Sequence, residues 1–599
     1  MRRRRVIAVL AIAIFLGIVL LTGAPPRAQE GAAAVARGRG GAVASVDARA
    51  TEVGIEVLQS GGNAIDAAVA AAAALGVVEP FSAGIGGGDF MVIYLKDADR
   101  VITLDGREQA PASASVDMFN DPNNPGELLP FSPDRISTGL AVGVPGTPLT
   151  WAEALSRYGT ISLAEALEPA IAIAENGFEV DTTFVTQLEQ NQERFGAYIP
   201  TRSLYLANGL PEVGSTFRNP DLAKTYRLLA EQGVNAFYRG EIAQAIVETV
   251  QNPPAQEITP FAALPGGMTL DDLDEYHLQV RPPVATDYRG YTIYGMGLPS
   301  SGGITGLQTL NLAEGFDLAT LDRAQALHAI IESERLAYAD RSSFLGDPEY
   351  VDVPLAGLLS EEYTAERRLL IRNTAPPEGS EARTTAGNPL PYQTDPSPSM
   401  TAATPIAQIG DHEGLSTTHL TVADRFGNVV SYTLTIESTG GSGIVVPGYG
   451  FLLNNELTDF DPESPHPNTP EPGKRPRSSM SPTIAFAPDG QVIAFGSPGG
   501  STIITTVLGI AFNVFDFDLP LDEAIAAPRI SQRNGGVTQV DSGFETSELG
   551  LALAELGHVL EPVAEIGAAT GIAINPDGTM IAAAEPTRRG GGAAQTVEP

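Results

Sequence analysis

The chain has 599 residues, with 36 Lys+Arg against 72 Asp+Glu and no cysteine. A formal charge of −36 argues against nucleic-acid binding, because phosphates must be met by Lys and Arg. The lack of cysteine excludes disulfides, Cys-ligated zinc, iron–sulfur clusters and thiol nucleophiles.

Arg2 to Arg5 precede an apolar run from Val6 to Leu21 and then small residues up to Ala28. A basic start, a short apolar stretch and a small-residue tail read as a secretory signal peptide over residues 1–28. The run is short for a span of ~20 residues, so a retained membrane anchor is the lesser alternative. Residues 1–28 hold five arginines and no acids, so their removal takes the net charge to −41. An exported protein, periplasmic or extracellular, is expected.

The Ala-rich stretch Asn63–Val78 predicts a buried helix opening after Gly61-Gly62. A glycine turn, Gly84–Gly88, leads to a strand at Phe90–Leu95. Here the helix precedes the glycines and the strand follows, the reverse of the dinucleotide-binding order, so no nucleotide cofactor is expected. From Thr147 to Leu370 helical patterns recur at Ala152–Tyr158, Leu163–Asn176, Leu222–Gln232 and Arg323–Arg341. Composition shifts at Asn388, and residues 388–416 read as an exposed linker rich in Pro, Ser, Thr and Ala. Thr418–Ala423 and Val429–Thr435 then predict a hairpin around Asp424–Asn428. Pro488-Asp489-Gly490 and Pro576-Asp577-Gly578 mark two more. Ser501 is expected to cap a helix running through Val507–Phe512.

Candidate nucleophiles are limited to Ser, Thr and carboxylates, and no G-x-S-x-G elbow occurs. None of the six histidines forms an H-x-x-x-H or H-E-x-x-H pair, so no metal is expected. One junction stands out: Ser416-Thr417-Thr418-His419, where the linker meets a strand. Were the bond before Thr417 cut, its α-amine, of pKa ~8, would lie beside its own hydroxyl. One residue would then supply nucleophile and general base. His419 already has that base beside it and reads as a structural strand histidine.

Several motifs carry a resemblance. They are GGNAIDAAVAAAAALGVVEPFSAGIGGGDFMVIYL (Gly61–Leu95), DGREQAP (Asp105–Pro111), LPSSGG (Leu298–Gly303) and the run Ser416–Thr435. LLNNELTDF (Leu452–Phe460), RPRSSMSPTI (Arg475–Ile484), GSPGGSTIITTVL (Gly496–Leu508) and EPTRRGGGAA (Glu585–Ala594) follow in order. Together the chain resembles the γ-glutamyltransferase family from about residue 41 to 595.

The resemblance implies an α+β N-terminal-nucleophile hydrolase fold, an αββα sandwich of two stacked, mainly antiparallel sheets. It implies a precursor that cuts itself at Ser416–Thr417 into a large subunit, residues 29–416, and a small catalytic subunit, 417–599, that stay together as a heterodimer. It implies an acyl-enzyme on Thr417, with Thr435 bonded to the nucleophile and the N–H groups of Gly499 and Gly500 as oxyanion hole. Arg107 matches the residue for a donor's α-carboxylate, a bidentate task suited to a guanidinium. Ser478 and Ser479 would add hydroxyl contacts, and Glu456 and Asp459 match the α-ammonium side. Their three-residue spacing puts both toward one pocket if the loop turns helically. Glu437 departs from the familiar Asn or Ser and would favour an ammonium. The short, proline-rich segment between Phe460 and Arg475 predicts a modest lid. The implied activity is transfer or hydrolysis of γ-glutamyl groups from glutathione and related amides to water, amino acids or peptides, without a cofactor. The alternatives are a glutaryl or cephalosporin acylase on the same scaffold, disfavoured by Asp459, and an inactive exported binding protein, disfavoured by the intact Thr417.

Overall fold

The computed structural model describes residues 33–376, 383–394 and 416–598; the expected signal segment and residues 395–415 of the expected linker lie outside them. Two seven-stranded sheets form the centre of the molecule. The first holds β2 (Gly41–Ser45), β3 (Gly88–Leu95), β4 (Arg100–Asp105), β5 (Gln279–Arg281), β8 (Thr418–Asp424), β9 (Val429–Thr435) and β14 (Ala593–Thr596), in the order β14-β2-β8-β9-β3-β4-β5. The second holds β1 (Val35–Gly38), β6 (Val284–Tyr288), β7 (Tyr291–Gly295), β10 (Thr483–Phe486), β11 (Val492–Gly496), β12 (Thr570–Ile574) and β13 (Met580–Ala584), in the order β1-β13-β12-β11-β10-β7-β6. All neighbours within each sheet pair antiparallel.

Every residue of β8 and β9 is buried, as a sheet covered on both faces requires. One face of the first sheet, including Leu420, Val422, Val430, Tyr432 and Leu434, packs on a helical layer. That layer contains α1 (Ala48–Gln59), α2 (Ala64–Val78), α3 (Thr147–Tyr158), α4 (Leu163–Asn176) and α5 (Pro220–Gln232). The other face meets the second sheet, whose far side carries α6 (Ser301–Ala313), α7 (Arg323–Phe344) and α8 (Thr502–Phe515). The architecture is the αββα sandwich that the motifs imply.

The alanines of α2 permit close approach on all sides, and all fifteen of its residues are buried. Asn63 and Asp66 close its N-terminus with a capping box. Asp424, at the turn of the β8–β9 hairpin, accepts from Ala64 N at 3.0 Å and from Phe426 N and Asn428 N. The hairpin that bears Thr417 is thereby fixed to the helix beneath it.

The expected helices all occur; α4 has the expected bounds, while α3 starts earlier, at Thr147, and α7 runs on to Phe344. Ser501 occupies the N-cap position of α8 without capping it; its hydroxyl accepts from Arg533 Nη1 at 2.5 Å. Its φ of −65° and ψ of −16° are already helical, whereas a capping side chain needs an extended residue.

Candidate active site

Thr417 enters β8 and Thr435 ends β9, so the hairpin register brings the two hydroxyls together. Thr417 Oγ1 lies 3.2 Å from Thr435 Oγ1. It also donates to the carbonyl oxygen of Ser416, the residue it would separate from. Thr435 Oγ1 receives Glu437 N at 2.8 Å and lies 3.5 Å from the same Ser416 oxygen. Ser416 Oγ is tied to Phe81 O at 2.9 Å and Ser82 Oγ at 3.2 Å. All of these side chains are buried, so the Thr417 hydroxyl has protein, not bulk water, around it.

A narrow cleft opens from this hydroxyl. Its lining includes Arg107, Thr417, Thr435, Glu437, Glu456, Asp459, Ser478, Ser479 and Gly500. Nine of the expected site residues therefore share one space. No residue between Phe460 and Arg475 is among those lining it. Gly499 instead lines a wider groove, shared with Ser416 and Arg589. Ser416, which also lines the narrow cleft, stands between the two spaces.

Arg107 follows β4 and is fully buried. Its backbone N–H donates to Asp105 Oδ1 at 3.0 Å, and Asp105 is itself held by Arg281 and Arg475. The guanidinium pairs with Glu456, donates to Asp459 Oδ2 at 2.5 Å, and reaches the carbonyls of Pro476 and Arg477 at 3.1 and 3.0 Å. Glu456–Asp459 is a 3-10 turn, which aims both acids at the same cation. Burial by itself lowers the pKa of Arg107, but Glu456 and Asp459 outweigh it and hold the cation firmly protonated. Burial pushes Glu456 well above the usual carboxylate range, against the pull of Arg107. The residues matched to a donor's carboxylate and to its ammonium are thus paired with each other.

Glu437 adopts φ +76°, the left-handed region that non-glycine residues avoid. Ser438 Oγ at 2.5 Å and Asn455 Nδ2 hold its carboxylate. Ser479 Oγ receives Arg341 Nη2 at 2.7 Å, and Arg341 Nε donates to Ser301 Oγ at 2.9 Å. Ser301 Oγ in turn donates to Ser478 O at 2.7 Å. The LPSSGG loop therefore braces the paired serines from behind.

Gly499 and Gly500 have φ of +134° and +56°. They lead directly into α8, whose N-terminus favours negative charge. A Cβ on Gly499 would lie 2.6 Å from Thr502 Oγ1. His419 is buried between the sheets, 2.8 Å from Thr433 Oγ1, and burial pushes its imidazole down to about 3. A Cβ on Gly496 would strike this ring at 2.3 Å, so the neutral histidine packs under the strand that leads to the paired glycines.

The gamma-glutamyltranspeptidase family model matches residues 50–595. The chain belongs to the γ-glutamyltranspeptidase family. It is 40% identical over 572 residues to the glutathione hydrolase proenzyme of Bacillus subtilis strain 168, covering 94% of this chain and 93% of that one. It is 36% identical over 566 residues to the glutathione hydrolase proenzyme of Escherichia coli K12, covering 92% and 91%. Among solved structures, the cephalosporin acylase from Bacillus halodurans superposes with a TM-score of 0.81 at 29% identity, covering 96% of this chain and 98% of that one.

Within this γ-glutamyltranspeptidase chain, four contributors to the site carry no simple sequence signal. Asn455 clamps Glu437, and Arg341 orients Ser479. Ser82 receives Ser416 Oγ at 3.2 Å, and Arg589 donates to Thr417 O at 2.6 Å. Ser82, Asn455 and Arg589 lie inside the motifs given above, but nothing in the spacing assigns them these partners.

Proposed function

We propose that the chain is a self-processing γ-glutamyltransferase and glutathione hydrolase, cut between Ser416 and Thr417. The carrying observation is the single buried cleft that joins the Thr417 hydroxyl to Arg107, Glu456 and Asp459. Processing starts when Thr417 Oγ1 attacks the Ser416 carbonyl carbon. The C–N bond breaks, its nitrogen takes the hydroxyl proton, and water hydrolyses the resulting ester. Ser416 becomes a carboxylate end and Thr417 a free amine.

In the mature site that amine takes the Thr417 proton while the oxygen attacks a γ-glutamyl carbonyl. The N–H groups of Gly499 and Gly500 receive the oxyanion, and the leaving amine takes the proton. Water or an acceptor amine then resolves the acyl-enzyme by the reverse route. The γ-glutamyl group enters the cleft by parting Arg107 from Glu456 and Asp459, and the wide groove beyond Ser416 suits the rest of the donor and the acceptor. Arg107 takes the α-carboxylate, while Asp459, Glu456 and Glu437 take the ammonium.

A cephalosporin-type acylase, hydrolysing glutaryl amides, is the second reading, favoured by the likeness to the Bacillus halodurans enzyme. Export rests on residues 1–28; among the described residues no helix is long and apolar enough to cross a membrane. The decisive test is product release from a γ-glutamyl anilide with and without an acceptor dipeptide, beside a denaturing gel. Two fragments and acceptor-stimulated release are expected; one uncut, inactive chain overturns the reading.

A further inference from the structure

Far along the chain from Thr417, α7 and the segment following the helix Glu548–Glu555 bring three side chains together. His328, Glu332 and His558 are each more than nine-tenths buried, and one ligand atom of each lies within 4.8 Å of the others. His328 and Glu332 stand four residues apart, on one face of α7. His328 Nδ1 lies 2.8 Å from His558 Nε2.

The protons on these rings follow from their partners. His328 Nε2 is 2.7 Å from the Arg372 carbonyl oxygen, which only accepts. Nε2 therefore carries the proton, and in the neutral ring Nδ1 turns a lone pair toward His558. His558 therefore donates from Nε2 to that lone pair. Its Nδ1 has no hydrogen-bond partner among the described residues. Arg335 Nε holds Glu332 Oε1 at 3.2 Å and orients the carboxylate.

We propose that His328, Glu332 and His558 form a binding site for a divalent transition metal of the zinc class. Two histidines and a carboxylate are a ligand set such ions take, and nitrogen donors select against magnesium and calcium. The Arg372 carbonyl supplies the outer hydrogen bond that fixes the tautomer of a ligating histidine. Ligand nitrogens ~2.0–2.1 Å from a tetrahedral ion lie about 3.3 Å apart, so the rings separate by about half an ångström and tilt until both lone pairs meet the ion. His558 then carries its proton on Nδ1 rather than Nε2; the His328–His558 hydrogen bond is exchanged for the two metal–nitrogen bonds, and no proton leaves the protein. The sequence pattern hides the site because its two histidines lie 230 positions apart.

The ion joins residues on either side of Thr417. In the cut protein it would therefore clasp the large subunit to the small one, a consequence that rests on the proposed processing. The site itself does not rest on it.

The test uses the full-length protein, stripped with a chelator and titrated with cobalt(II). We expect visible d–d absorption saturating at one cobalt per chain, displaced by zinc. Zinc, and not magnesium, should raise the melting temperature by roughly several degrees. Both signals should vanish in His558→Gln and in His328→Gln. A wild type without the absorption, or absorption unchanged in both variants, overturns the site. The same titration on uncut Thr417→Ala protein should give the same spectrum. Zinc should also raise the urea concentration at which the cut subunits separate; a cut, cobalt-binding protein without that gain overturns the clasp. A wild type that is never cut refutes the processing reading, and the cobalt spectrum still decides the site.

Discussion

Asp459→Asn removes a charge while keeping the side chain's shape, so it isolates the acid's part in recognising an ammonium. Asp459 Oδ2 accepts from Arg107 Nη2 at 2.5 Å, and Glu456 pairs with the same guanidinium. Removing one partner of a buried charge typically costs ~3–5 kcal/mol. Two features reduce that here. Glu456 and Glu437 remain in the cleft as acceptors. Asp459 is also one of the acids that, after burial itself, push Glu456 up, so its loss lets Glu456 ionise more readily. The expected loss for a γ-glutamyl donor is therefore ~2–4 kcal/mol, or about 30- to 900-fold in kcat/KM. A glutaryl donor has no ammonium and should change by less than ~3-fold. The assay compares kcat/KM for a γ-glutamyl and a glutaryl anilide on both proteins, after a gel has shown that both are cut. Equal losses for the two donors would refute the ammonium role and leave Asp459 as a support for Arg107. A wild type that prefers the glutaryl amide would put the acylase reading first.

Thr417→Ala should remain one uncut, inactive chain, whereas Thr417→Ser should retain some processing; a wild-type small fragment whose N-terminus is not Thr417 by mass spectrometry refutes the assignment. Arg107→Lys should lower kcat/KM for γ-glutamyl donors by ~2–4 kcal/mol, because an ammonium cannot span Glu456, Asp459 and the two carbonyls at once; unchanged kinetics removes Arg107 from the site. His419 sits near pKa 3 when folded and ~6.5 when unfolded. The unfolded chain therefore binds the extra proton between those values, and the contribution of neutral His419 is lost as pH falls below ~6.5. In the single-chain Thr417→Ala background, the gap in urea stability between His419 and His419→Asn should narrow by roughly 1 kcal/mol from pH 7.5 to 5.5; a gap that widens contradicts a buried neutral ring.

The helices and the hairpin are legible because their signals are local: helical patterns, turn residues and the alanine run of α2 act over a few positions, and so does the three-residue spacing of Glu456 and Asp459. The layered sandwich follows only from the resemblance of the motifs. The rest depends on contacts remote in sequence. Arg107 meets Glu456 across 349 positions, and Arg341 meets Ser479 across 138. Ser501 misled for the opposite reason: its local pattern is that of a cap, but tertiary contact with Arg533 and a helical backbone took its hydroxyl elsewhere. Glu437 was visible as a departure in residue type; its left-handed backbone was not, since Gly440, Gly441 and Gly443 close by make the turn look permissive without locating the strain.

The pairing of Arg107 with Glu456 and Asp459 bears directly on specificity. A fully buried guanidinium cannot stand alone, because an unpaired buried charge costs several kcal/mol. The acids therefore serve before any donor arrives, as counter-ions that let Arg107 be stored inside the protein. A γ-glutamyl group brings one carboxylate and one ammonium, so it can enter by exchange: its carboxylate takes the arginine while its ammonium takes the released acids. Every charge keeps a partner throughout. A glutaryl group brings only the carboxylate. It would claim Arg107 and leave Asp459 and Glu456 facing each other with no cation between them, unless one took up a proton. Burial already pushes Glu456 toward its protonated form, which makes it the acid to do so. Glutaryl turnover should therefore improve relative to γ-glutamyl turnover as pH falls, and the ratio of the two kcat/KM values across pH 5.5–8.5 measures this. A ratio independent of pH would mean that the two donors meet the same charges, and the exchange argument would fail.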